Sequence, residues 1–527
     1  MRIQVLDCTL RDGGYCNNWD FGLENIKYII KKLILAKVDI VEVGFISDKK
    51  EQKEGNSIFR SIEKLQSVLP KEQIDTKFVC MCNYGEVDFK NLEREEETGI
   101  QGIRLAFHKK DWESALEAAK MIQDKGYELY LQPMVTMNYT DLELLKLIEG
   151  TNEIEPEAFY IVDSFGIVRK EDLLRMYYLV NHNLNRKIKI GYHAHNNLQL
   201  AYANAKEFME ISDERDKIID SSVFGMGRGA GNLNTELFVE HLNRCFDTKY
   251  LISPLLQIID TVLNKIYSTN YWGYSLPHYL SARHNCHPNY ATYLSNKNTL
   301  NAESINEVLE KVPNEEKANF NKNLIEKIYF DYQSKEYDDT EDLSKLQQLR
   351  NQNIVLLAPG ASLGDYKKEI EDQVQKIKAT VISVNFLFEN FMSDFVFISN
   401  QKRYERFEER YSNFADRLIV TSNIRCEEKM CCVNYRSLRN EIPTVEDNAM
   451  LMLLKLLIKL GIKKVYVAGM DGYTEMLVQN YYDSDMTMSV DKGYSNLMNQ
   501  GIQKMLDELE EEIEICWITP SRFKKVN

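Results

Sequence analysis

The sequence predicts an α/β protein: a (β/α)8 barrel with a following helical segment, then a second, doubly wound Rossmann-like α/β domain. Three observations carry that reading. Short β-rich apolar runs alternate with amphipathic stretches at helical spacing along residues 1–226. Polar residues gather at the C-terminal ends of those runs, where a barrel of this kind places its chemistry. From residue 353 the alternation restarts with an apolar run leading into a glycine turn.

Taken in order, the first-domain runs are 3–10, 38–45, 77–83, 102–107, 127–134, 158–164, 187–195 and 218–226. Each reads as continuously apolar, as a parallel strand covered on both faces requires. Stretches such as "NIKYIIKKLILAK" and "DWESALEAAKMIQDKG" supply the intervening helices. The barrel is assigned to 1–249, and an aromatic-rich helical extension expected to cover its mouth to 250–335. The polar tract at 336–352 reads as a linker, and 353–527 as the second domain. There, strands at 379–385, 393–400, 416–423 and 463–473 frame the helix-forming "DNAMLMLLKLLIKLG".

Composition narrows the function classes. With 65 basic and 80 acidic residues, the net charge of −15 argues against nucleic-acid or anionic-membrane partners. No run reaches the ~18 apolar residues of a membrane span. The opening "MRIQV" lacks the features of a signal peptide, so a cytoplasmic location is expected. The ten cysteines form no C-x-x-C pair and read as reduced thiols.

His193 and His195 end the seventh run. Strand side chains alternate with period two, so both imidazoles face one side and suit one metal. Asp12, after the first run, completes a two-histidine, one-carboxylate set with open positions. Such N/O ligands favour Mn²⁺, Mg²⁺, Fe²⁺ or Co²⁺ over structural zinc. Arg11 beside it is a permanent cation suited to negative charge developing on a substrate oxygen, such as an enolate. Glu42, Asp163 and Ser164, at other strand ends, are candidate substrate-binding residues.

"TLRDG" (9–13), "HAHNN" (193–197) and "GMGRGAGN" (225–232) together resemble the DRE-TIM metallolyase superfamily, whose members include 4-hydroxy-2-oxovalerate aldolases and Claisen-type synthases. The resemblance implies Asp12, His193, His195 and Asn232 as metal ligands and Arg11 as enolate stabiliser. It implies a divalent cofactor, Mn²⁺ first with Mg²⁺ or Co²⁺ as alternatives. "DSFG" (163–166) and "YWGYSLPHYLSARHNCHPNYATYL" (271–294) are similar to the pyruvate-specific aldolases. Pyruvate or another 2-oxo acid and an aldehyde are then the substrates, and a homo-oligomer is expected. The usual base histidine after the first strand is absent, leaving Tyr15, Tyr274, His278, His284, His287 and Tyr290 as candidates, with Tyr15, Tyr274 and His287 foremost. The alternative activity is Claisen condensation of acetyl-CoA with a 2-oxo acid, with Glu42 assisting.

In the second domain, "LLAPGASL" (356–363) sets a glycine turn between strand and helix, a place where backbone N–H groups can receive phosphate. With Asn385, Asn400 and "AGMDGY" (468–473), its layout resembles bacterial sialyltransferase-like and DUF115-like Rossmann-type domains. The resemblance implies a nucleotide or nucleotide-sugar site at Gly360, Ser362, Asn385, Asn400 and Asp471. No histidine follows His287, so the late catalytic histidine of the sialyltransferases is missing. The combined expectation is an aldolase of surface-polysaccharide or unusual-sugar biosynthesis.

Overall fold

A computed structural model describes residues 2–525 apart from 51–52, 72–74, 388–389, 428, 475, 477–479 and 488–492. It divides into two compact units: Met1–Pro288 with Lys317–Asn319, and Asn289–Glu316 with Phe320–Asn527.

In the first unit, eight strands form the predicted barrel: β1 (Ile3–Asp7), β2 (Ile40–Ile46), β3 (Lys77–Asn83), β4 (Gly102–Phe107), β5 (Glu128–Pro133), β6 (Ala158–Asp163), β7 (Lys189–Ala194) and β8 (Lys217–Ser221). All neighbours are parallel, and β1 pairs with both β8 and β2, which closes the sheet. A two-residue strand, Ile58–Phe59, adds to the end of β2. Helices such as Leu23–Leu35 and Trp112–Asp124 pack their apolar stripes on the outside. Inside, Leu6, Ile40, Val79, Tyr130, Tyr160, Val162 and Ile218 fill the barrel.

Side-chain parity then decides what else points inward. Asp220 pairs in register with Leu6, and His193 with Val162, so both share the interior with these apolar residues. Gly191 lies opposite Tyr160, and a Cβ there would come within 2.4 Å of the tyrosine ring. Only glycine leaves that ring its place.

The second unit holds a seven-stranded parallel sheet. Its strands are β9 (Ile354–Leu357), β10 (Thr380–Val384), β11 (Phe395–Ile398), β12 (Leu418–Thr421), β13 (Cys431–Val433), β14 (Lys464–Ala468) and β15 (Glu514–Trp517). The order is β13-β12-β11-β10-β9-β14-β15, so the direction of winding reverses beside β9. Two apolar clusters cover its faces, one built largely on Ala449–Lys459 and Tyr494–Leu509.

Two boundaries differ from the sequence reading. The 250–335 extension is divided: 250–288 stays with the barrel, while Asn289–Asn296, Ala302–Glu310 and Lys322–Gln333 belong to the second unit. The extension is therefore not one continuous segment of the first unit, and Tyr290 lies buried in the second, its hydroxyl donating to the Glu316 carbonyl. Nor is 336–352 a linker. It forms the helix Thr340–Leu346 and a 3-10 turn, Gln347–Asn351, and Leu346 and Leu349 are buried in the core. No helix among the described residues is long and apolar enough to cross a membrane.

Leu346→Ala is expected to destabilise the second unit by about 2–5 kcal/mol, the cost of a buried cavity. A urea midpoint shift equivalent to less than about 0.5 kcal/mol, typical of a solvated position, would return the segment to linker status.

Candidate active site

β1 ends at Asp7, and the chain turns through Cys8–Asp12, where Arg11 and Asp12 N–H groups both donate to the Cys8 carbonyl. This turn folds Arg11 and Asp12 over the C-terminal end of the barrel. His193 is the penultimate residue of β7, and His195, just beyond the strand, is bridged to Asn232 of the glycine loop following β8. One ligand atom each from Asp12, His193 and His195 lies within 4.8 Å of the others, and all three residues are buried. β8 separates β1 from β7, and its loop brings Asn232 beside Asp12, Nδ2 donating to Oδ2 at 2.6 Å.

The glycines of that loop differ in what they permit. Gly225, Gly229 and Gly231 adopt positive φ, which lets the chain double back. A Cβ on Gly227 would sit 2.4 Å from Asn232 Nδ2 and 2.8 Å from Asp12 Oδ2, so its absence admits the ligand pair. Trp272, from the segment after the barrel helices, donates its Nε1 to the Phe224 carbonyl at 3.0 Å and packs on the loop.

Below the ligands runs a buried ionic chain. Arg11 donates Nη1 to Asp12 Oδ1 at 2.6 Å and Nε to Glu42 Oε2 at 2.7 Å. Glu42 also lies 2.9 Å from Arg104 Nη1, and the other arm of Arg104 donates to Asp220. Asp220 Oδ2 bonds His193 Nδ1 at 2.9 Å, which leaves His193 Nε2 for a ligand. Arg104 also lies against the Tyr160 ring, 4.9 Å from its centroid. Against the upward push of burial, Arg11 and both histidines hold the Asp12 carboxyl well below the usual carboxylate range. Burial drives the His195 imidazole down to about 3 against the pull of Asp12, so it is neutral at pH 7.

The residues present fit a divalent cation. Two guanidinium groups against three carboxylates leave one negative charge in excess. His195 Nδ1 and Asn232 Oδ1 are buried without a hydrogen-bond partner, and both are metal-ligating lone pairs. Arg11 Nη2 is likewise buried and unpartnered, a donor next to Asp12.

Other candidates are placed differently. Glu42 is not available to substrate, because its carboxylate holds Arg11 and Arg104 inside the barrel. Asp163 accepts the Ile167 and Val168 N–H groups at 2.9 and 3.1 Å; burial pushes its carboxyl up to about 7. Ser164 Oγ accepts the Val135 N–H at 3.0 Å. Both side chains thus hold the loops around β6. Tyr274 is 54 % exposed, its ring tilted against Tyr279, and among the described residues no contact ties it to the candidate metal set. Tyr15 packs on Trp19 and Phe45 beneath the Arg228 guanidinium. His287 packs on Phe165 next to β6; burial, then Arg228, lowers its pKa to about 3. Arg104 and Asp220 were missed by the sequence reading. The signal was there: a charge of inward parity inside the apolar runs "GIRLAF" and "KIIDSS".

In the second unit, Gly360, Asn385, Asn400 and Asp471 line one cleft of about 1280 Å³, open to solvent, with Arg403 and Tyr473. It lies at the carboxyl ends of β9, β10 and β14, at the switch in strand order. Ser362 is not in the lining: its N–H and Oγ both donate to Asp471. Gly360 N–H is spent on the Gly469 carbonyl. The glycine turn is therefore closed by a carboxylate rather than open to phosphate. Asn400 caps the helix Gln401–Arg406, whereas Asn385, at φ +57, accepts the Ser399 N–H on its Oδ1 and leaves its amide nitrogen unspent among the described residues.

A closed parallel barrel with an Asp/His/His set over the strand ends is the architecture of an enzyme. Residues 2–262 match the HMGL-like family model and form an HMGL-like DRE-TIM domain. Over 244 residues the chain is 28% identical to a 4-hydroxy-2-oxovalerate aldolase of Geobacillus genomosp. 3, covering 46% of this chain and 71% of the relative. An oxaloacetate decarboxylase of Mycobacterium tuberculosis is 25% identical, with 46% and 70% covered. Among solved structures, the N-terminal domain of a putative aldolase from Bacteroides vulgatus matches at 28% identity and TM-score 0.46, covering 55% of this chain and 96% of that one. The chain is a carbon–carbon lyase in which the HMGL-like match is confined to residues 2–262.

Arg104→Met leaves Glu42 and Asp220 without their shared cation, and is expected to cost about 3–5 kcal/mol in chelator-treated protein. Chemical denaturation checks this; a cost below about 1 kcal/mol would show that the barrel does not depend on this pairing.

Proposed function

We propose that the barrel is a divalent-metal-dependent, pyruvate-specific class II aldolase, using Mn²⁺ and cleaving a 4-hydroxy-2-oxo acid to pyruvate and an aldehyde. The carrying observation is the unspent Arg11 Nη2 next to the orphaned lone pairs of His195 and Asn232. The names of the relatives support the same reading. A cation held by Asp12, His193, His195 and Asn232 would supply the Lewis acidity that polarises the C2 ketone. Arg11, fixed by Glu42 and Asp12, offers Nη2 to the oxygen on which charge develops. His287 is the proposed base for the C4 hydroxyl proton. The C3–C4 bond breaks, its electron pair moves toward the C2 oxygen, and the aldehyde leaves. Returning the proton to C3 completes pyruvate; the reverse sequence adds pyruvate to an aldehyde.

The second unit is proposed to bind a nucleotide or nucleotide-sugar in its switch-point cleft, and the chain to act in surface-polysaccharide or unusual-sugar biosynthesis as a homo-oligomer. The position of the cleft supports this.

Loss of the pyruvate methyl signal in D₂O tests the barrel reading by NMR. Exchange is expected with Mn²⁺, and Arg11→Ala or His193→Ala should slow it by about 10²–10³-fold. Absence of exchange, with thiol release from acetyl-CoA and a 2-oxo acid, would move the activity to Claisen condensation. For the cleft, calorimetry with nucleotide-sugars should show binding that weakens about tenfold in Asn385→Ala, the loss of a single hydrogen bond.

A further inference from the structure

Beyond the four ligand residues, the glycine loop carries a side chain that the proposed aldol chemistry does not use. Arg228 follows Gly227, whose backbone is packed against Asp12 and Asn232. Its guanidinium donates Nη2 to the Ser164 carbonyl at the end of β6, at 2.8 Å, and lies 5.7 Å from the Tyr15 ring centroid. Gly229 and Ala230 are fixed behind it by Asn197, whose Oδ1 accepts the Ala230 N–H at 2.8 Å. The arginine is therefore held in place on a pinned loop.

Its charge is not neutralised. Among the described residues no carboxylate pairs with Arg228, and only one N–H is spent, on a neutral carbonyl. Its positive field reaches Tyr15, His108, His195 and His287. Lys50, a second cation over the Tyr15–Trp19–Phe45 cluster, is by contrast paired with Glu86 at 3.8 Å. A half-buried arginine with unspent donors and no counter-ion is a ready site for an anion.

Depth assigns the anion to one end of the substrate. Arg11, Asp12, His193 and His195 are all buried, while Tyr15 is 39 % exposed and Arg228 sits over its ring. On the aldolase reading, a 2-oxo acid engaged by Arg11 would direct its distal end outward, toward Tyr15 and Arg228. The donor carboxylate lies at the deep end, and the aldehyde-derived portion at the outer end.

We infer that Arg228 is a specificity residue that binds an anionic group, carboxylate or phosphate, on the acceptor aldehyde. This assignment rests on the aldolase reading of the barrel. It narrows the substrate from any aldehyde to one carrying a negative charge beyond its carbonyl carbon.

The test compares matched acceptors with pyruvate and Mn²⁺ on the full chain: succinic semialdehyde against butanal, and glyceraldehyde 3-phosphate against glyceraldehyde. For at least one pair, kcat/KM should favour the anion by on the order of 10- to 100-fold, the range for a charge-assisted hydrogen bond. The pair that shows it separates carboxylate from phosphate recognition. Arg228→Gln should collapse the ratio toward unity, and Arg228→Lys should retain most of it. Equal kcat/KM for both members of both pairs in the native chain would overturn the assignment, as would a ratio that survives Arg228→Gln. So would an Arg228→Gln chain in which acceptor-free methyl exchange falls as far as addition does, because the arginine would then hold pyruvate. Absence of methyl exchange in the native chain would instead sink the aldolase reading, and this assignment with it.

Discussion

The buried ionic chain from Asp12 through Arg11, Glu42, Arg104 and Asp220 to His193 is the constraint on which the first unit depends. Five charges inside a barrel are costly to desolvate, and each is tolerable only because its neighbours are opposite in sign and within bonding distance. Both ends of the chain belong to the candidate metal set. Their rotamers are therefore set by the barrel interior, not by surface loops. The surplus of one negative charge gives a cation a favourable place before any ligand geometry is considered.

That chain explains residues with no chemistry of their own. Gly191 is small so that Tyr160 can lie across the barrel, and Tyr160 presents its ring to Arg104. The face of an aromatic ring is attractive to a guanidinium, which helps replace the water that Arg104 gave up. Above, the loop from Gly225 to Asn232 is tied to the same centre by Asn232 on Asp12 and by Asn197 on Ala230. Phe224 enters that loop at φ +60, an uncommon conformation for an aromatic residue, covered by Tyr267 and Trp272. The aromatic part of 250–288 thus braces the loop that carries Asn232 and Arg228.

What was legible in the sequence followed from local periodicity. Eight apolar runs gave the barrel, and the shared parity of His193 and His195 gave two members of the ligand set. Arg104 and Asp220 were hidden because their partners lie on other strands; only inward parity marks them, and parity needs a register that one sequence does not supply. Segment 336–352 misled through composition. Its Leu343, Leu346 and Leu349 recur every third residue amid charges, enough for one buried edge but too few to outweigh a polar average. Asp163 misled in a different way, since a carboxylate at a strand end caps backbone N–H groups as readily as it meets a substrate.

The two units use the same end of a parallel sheet but spend their polar groups differently. In the barrel, charged side chains satisfy one another and leave a small remainder of valences: Arg11 Nη2, His195 Nδ1 and Asn232 Oδ1. In the second unit they satisfy backbone. Asp471 caps the turn at Ser362, Asn400 caps a helix, and Asn480 ties the Thr474 turn. A carboxylate already occupying the glycine turn repels phosphate from the position that strand–turn–helix geometry would otherwise favour. Under the nucleotide-sugar reading, the phosphates therefore go to Arg403, whose guanidinium is bonded to the backbone carbonyls of Asp485 and Met486 and keeps its charge uncompensated by a carboxylate among the described residues. The Asn385 amide is then left for an uncharged part of the ligand. On that reading, recognition in this cleft would be divided between one arginine for charge and one asparagine for shape.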